Sequence, residues 1–193
     1  AVSVVGSVGQ TTSLKTLTLT NSNGAVFNAP VTTGTSVVLA DTTDGQTIRF
    51  ADNLSTPVLT TTANGYNLEL LGSTTSVSAA NTATTFLNTG NLVLGNGAGD
   101  SLTFAGGVTA TAPAAISAAG TINTTNTAMS LGDANTALTL TANTTLSAGS
   151  GDITLGGTVN DATSGTQSLT LNSTGVTTLQ AAVGNNAALS SVT

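Results

Sequence analysis

Short runs in which an apolar residue alternates with threonine or another polar residue recur along the whole chain. The clearest are Leu14 to Thr20, Val37 to Leu39, Thr47 to Phe50, Asn67 to Leu70, Leu92 to Leu94, Ser101 to Phe104, Ala137 to Thr141, Asp152 to Leu155 and Ser168 to Leu171. A period of two predicts strands with one face buried and a polar, often β-branched, face outside. Turn pairs punctuate them: Asn23-Gly24, Asp44-Gly45, Asn64-Gly65, Asn96-Gly97, Ser150-Gly151, Ser164-Gly165 and Thr174-Gly175. No stretch keeps an apolar 3.6-residue period long enough to predict a helix. The alanine-rich run from Ala112 to Ala119 contains Pro113 and ends at Gly120.

Many short strands separated by turns suit a sandwich, a barrel or a β-solenoid. The spacing favours the solenoid. Val159 and Val183 stand in similar settings 24 residues apart, and Phe27 and Phe50 lie 23 apart. Residues are small, as a stack of rungs about 4.8 Å apart requires. The expectation is therefore an all-β parallel β-helix over residues 1–193, with eight to ten rungs of about 20 residues. The alternative is a pair of threonine-rich Ig-like sandwiches of about 100 residues each.

Composition sharpens this. About a fifth of the residues are threonine, charged residues are 5%, aromatics 3%, and there is no Cys, Trp or His. With 39% hydrophobic residues the chain has the reverse of a disordered composition. Eight acids against Lys15 and Arg49 give a net charge of −6. Two cations make neither a phosphate-binding face nor a polybasic membrane anchor, so nucleic acid and membrane insertion are not expected. No apolar run approaches the ~18 residues that span a bilayer. Ala1-Val2-Ser3 does not open like a signal peptide, and the chain is expected to be a mature or excised piece of something larger.

Candidate chemistry is sparse. Without His or Cys there is no Ser-His-Asp triad and no Cys or His metal site. The densest charged group is Asp41, Asp44, Arg49 and Asp52, which reads as a solvated loop better than as a carboxylate pair for sugar cleavage. No catalytic or metal-binding residue is assigned and no enzyme is expected. Gly95 to Leu102 resembles one copy of a calcium-binding nonapeptide, but a single copy reads better as a turn; calcium is the one cofactor left open. Thr-x-Thr pairs (Thr16/Thr18, Thr109/Thr111, Thr139/Thr141) are those of an ice-binding face, yet along the chain they look scattered. Lys15 is expected to protect a strand edge or stay in water.

The two ends share a pattern. Laid without a gap, residues 176–193 fall on residues 1–18 so that Val183-Gly184 meets Val8-Gly9, Leu189 meets Leu14, and Val192 meets Leu17. The expected interface is end to end, formed by Val8, Leu14 and Leu17 against Val183, Leu189 and Val192. Its partners are copies of the chain in a filament or adjacent repeats of one array.

The segments Gly151-Asp152-Ile153-Thr154-Leu155-Gly156-Gly157-Thr158-Val159-Asn160, Gln167-Ser168-Leu169-Thr170-Leu171-Asn172 and Val176 to Gly184 resemble the repeats of giant bacterial surface adhesins, the filamentous-haemagglutinin-like and β-strand-repeat proteins. The likeness is strong over residues 130–193 and 1–20 and loose over 21–129. It implies a right-handed parallel β-helix, an extracellular place on the bacterial cell surface, and roles in adhesion, biofilm or a sheath. It carries no catalytic residue. The implied function is a structural or adhesive surface fibre; the alternative is a binding module for a glycan, calcium or ice, with surface glycans as the outside partner.

Overall fold

A computed structural model describes residues 1–193 as a parallel β-solenoid with no helix. On a first face, inward side chains stack in the order Val2, Ala25, Ile48, Leu68, Leu92, Ile116, Leu138, Val159 and Val183, so along this face one turn takes 20 to 24 residues. The 23-residue step between the phenylalanines and the 24-residue step between the valines are both steps of one turn: Phe27 pairs with Phe50 and Val159 with Val183. Eight turns are complete, and residues 180–193 lay two faces of a ninth. All ladders are parallel, and one continuous core of 34 buried residues runs through them, which two sandwiches would divide.

The second face stacks Val8, Val31, Leu54, Thr75, Leu102, Ile122, Leu146 and Leu171. The third carries the strands Leu14–Leu19, Val58–Thr61, Val108–Ala110, Met129–Leu131, Ile153–Leu155 and Thr177–Leu179, among others. Three strands turn a corner without ending. Val31–Leu39 passes from the second face to the third; Ala115–Thr124 and Ala137–Gly149 pass from the first to the second. In Ala115–Thr124 the corner is Gly120, at φ 76°, where a Cβ would stand 2.4 Å from the Asp100 carbonyl oxygen. Only glycine combines that φ with that approach. The alanine-rich run around Pro113 thus ends in a strand, because small side chains let the turns stack closely.

Aromatic residues pack in the core between successive turns. Phe27 and Phe50 stack at 4.8 Å, and Phe86 meets Phe104 edge-on at 5.7 Å. Tyr66 is buried with its hydroxyl donating to the Leu39 carbonyl at 3.0 Å and accepting from Thr62 N–H at 3.2 Å. Burial raises its phenol pKa above the ordinary value. The third face is interrupted between Val58–Thr61 and Thr84–Thr85. There the Thr61 hydroxyl spans the gap, donating to the Thr85 carbonyl at 3.1 Å and accepting Leu87 N–H at 2.7 Å.

Corners are tied to the next turn by Asn and Asp side chains. Asp44, Asn53, Asn67, Asn126, Asn143 and Asp152 each accept a backbone N–H from the following turn, at Gly65, Thr74, Asn91, Ser150, Ser168 and Val176 respectively. These bonds satisfy the amide donors that a bend would otherwise leave unpaired.

Thr75 breaks the apolar stack of the second face. It lies between Leu54 and Leu102, and its buried hydroxyl has no hydrogen-bond partner. An unpaired buried hydroxyl costs about 1–3 kcal/mol. Thr75→Val should therefore raise stability by about 1 kcal/mol in urea unfolding; a loss of similar size would show that the hydroxyl is satisfied in solution.

Candidate functional site

The ends of the coil are its most distinctive surfaces. At one end the first turn presents the edges of Val2–Val4, Val8 and Leu14–Leu19; at the other, Thr177–Leu179, Val183 and Ser191–Val192 are uppermost. Large apolar side chains are exposed almost only here. Val2, Val5 and Leu14 lie on the first turn, and Val176, Leu179 and Val192 on the last strands; Leu87 is the one elsewhere. The six residues expected from sequence divide accordingly. Val8, Leu14 and Leu17 sit together at the first end. Val183, Leu189 and Val192 sit at the other, about 40 Å away along the stack. Within one chain the two trios do not meet. Val8 lies on the second face, over which Val31 stacks, whereas Val183 lies on the first face, above Val159.

Lys15 lies exposed within the edge strand Leu14–Leu19, the place from which a charge discourages unplanned strand pairing. The other cation is engaged: Arg49 Nε sits 2.7 Å from Glu69, on the next turn. That partner lies outside the charged group read from the sequence, whose members have separate local tasks. Asp44 accepts Gly65 N–H, and Asp52 accepts Asn53 N–H at 2.7 Å. Asp100 closes its own loop by accepting Asn96 and Gly97 N–H at 2.8 and 2.9 Å, which suits the turn reading of that glycine-rich segment.

Asp161 is a buried carboxylate near the last turn. Desolvation pushes its pKa up, but N–H donors from Gln167, Thr163 and Thr166 at 2.8 to 3.0 Å outweigh it and hold the pKa below the ordinary value. The unfolded chain then binds the proton more readily than the folded one. Stability should be fully present above the ordinary carboxylate pKa and fall as pH drops towards the depressed folded value. Asp161→Asn should flatten that acid limb in thermal unfolding between about pH 2 and 6; an unchanged limb would assign it to other groups.

The second face carries a feature invisible along the chain. Its outward side chains form two ranks, Thr74, Ser101, Thr121, Thr145 and Thr170 beside Ser76, Thr103, Asn123, Ser147 and Asn172. The Thr-x-Thr pairs read from the sequence lie elsewhere, Thr16/Thr18 and Thr109 on the third face and Thr139 on the first; the two ranks join residues that unequal turn lengths keep apart along the chain. None of the ten side chains hydrogen-bonds within the protein, unlike Thr33 and Thr56, which bond each other at 2.7 Å. Rungs are about 4.8 Å apart, and alternate residues along a strand about 6.7 Å apart.

Fold and surfaces together define a parallel β-solenoid repeat protein with apolar ends and a hydroxyl-rich side. No family model, curated protein or solved structure matches the chain.

Proposed function

We propose that the chain is a structural or adhesive fibre component of the bacterial cell surface, which continues end to end through copies of itself or adjacent repeats. The observation that carries this reading is the confinement of exposed large apolar side chains to the two ends, Leu87 apart. An open strand edge with apolar side chains is a template for another strand. The likeness of residues 151–184 to adhesin repeats supplies the extracellular setting. Catalysis forms no part of the reading. Electron microscopy of the concentrated, uncrosslinked protein tests it: filaments about 20 to 30 Å wide, the scale of a slim stack of strands, are expected. Discrete short rods at all concentrations would count against self-association.

A second reading rests on the two hydroxyl ranks. Their mesh lies close to the oxygen repeats on a prism face of ice, and it is uncharged and unpaired internally. Of glycan, calcium and ice, it favours ice. The wild-type chain should then slow recrystallisation in frozen sucrose, and Thr121→Lys with Thr145→Lys should lose the effect. No effect from the wild type removes this reading and leaves the fibre untouched.

A further inference from the structure

We propose that a second copy docks on the C-terminal end turned by one face of the coil, so that its Val8 lies over Val183 and its Leu17 over Val192. This deepens the fibre reading and rests on it. The backbone of residues 176–188 repeats that of residues 1–13 position by position. The strand Val2–Val4 corresponds to Thr177–Leu179, the single bridge at Val8 to that at Val183, and the bends over 9–12 to those over 184–187. The glycine after each bridge has the same left-handed backbone, φ 70° at Gly9 and 72° at Gly184.

Side-chain direction agrees too. Val2 and Val4 align with buried Ala25 and Phe27, as Thr177 and Leu179 align with buried Ile153 and Leu155. Leu17 aligns with buried Val37 and Val192 with buried Leu169. Ser3 and Thr178 point outward between their neighbours.

The repeated segments nevertheless lie on different faces. Residues 2–4, 8 and 14–19 occupy the first, second and third faces; residues 177–179, 183 and 191–192 occupy the third, first and second. A solenoid grows by laying a congruent turn on the one below, with strands about 4.8 Å apart. Stacking first face on first face would set Leu14–Leu19 two rungs above Thr177–Leu179 and leave a strand-wide slot. Turned by one face, all three edges meet at single-rung distance, and inward residues meet inward ones. The contact is heterologous, so it builds an open filament rather than a closed ring. Each copy advances eight turns and two faces, about 42 Å, with about a third of a turn.

The chain has no cysteine, so introduced pairs report the register directly. Ser3→Cys with Thr178→Cys brings the two sulfurs of neighbouring copies into disulfide range, since adjacent rungs at about 4.8 Å fall within the 4.4–6.8 Å of bridged Cα atoms. Ala1→Cys with Ala182→Cys does so only for unrotated stacking. Mild oxidation should give a ladder of reducible multimers from the first pair and none from the second, with single-cysteine variants stopping at dimers. A ladder from the second pair, or filaments in which neither pair links, overturns the rotated register while the fibre reading stands. Absence of both filaments and ladders overturns both.

Discussion

Replacing Phe50 with alanine should lower the unfolding free energy by about 3–5 kcal/mol. Phe50 is 1% exposed, stacks on Phe27 at 4.8 Å, and supports Leu70 on the next turn. In a coil each turn touches only its neighbours, so stability is close to a sum over turns and the contacts between them. A cavity at the third turn therefore removes the contact that holds the first two. Amide hydrogen exchange should show residues 2–39 losing protection before the rest, with residues 92–171 close to wild type. Phe50→Leu keeps most of the apolar volume and should lose clearly less. Equal, small losses from both substitutions, or a uniform loss of protection along the chain, would show that the core is not coupled turn by turn.

Local strand signals were legible where apolar and polar residues alternate within one short strand. Thr47–Phe50, Asn67–Leu70, Leu92–Leu94 and Ser101–Phe104 carry the boundaries that alternation alone assigns. The 23-residue step between Phe27 and Phe50 was readable because two scarce aromatics mark it. Strands that round a corner were not: Gly120 reads as a terminator, yet Ala115–Thr124 continues through it, because parallel pairing on both sides holds the bent strand. The hydroxyl ranks were hidden for a related reason. Thr74 to Ser101 is 27 residues and Ser101 to Thr121 is 20, and no fixed period joins residues whose loops differ in length. Of the candidate ends, the sequence supplied the residues and their spacing. It could not supply the face on which each lies, which depends on how many corners come between.

Aspartate at either end should abolish assembly, and mixing the two variants should restore one contact and no more. Leu14 and Val192 are 38% and 47% exposed, so Leu14→Asp and Val192→Asp should leave the monomer folded. In a stack these positions face Leu189 and Leu17, and an unpaired charge sealed among apolar side chains costs several kcal/mol. A Val192→Asp copy still offers a sound N-terminal edge, and a Leu14→Asp copy a sound C-terminal edge. Each alone should sediment as a monomer, while an equimolar mixture should give dimers and nothing larger. Traces of Val192→Asp added to wild type should shorten filaments in proportion to the fraction added, because each such copy ends growth on its C-terminal side. A symmetric, head-to-head interface predicts no rescue on mixing, and assembly unchanged by both substitutions would move the contact off the ends altogether.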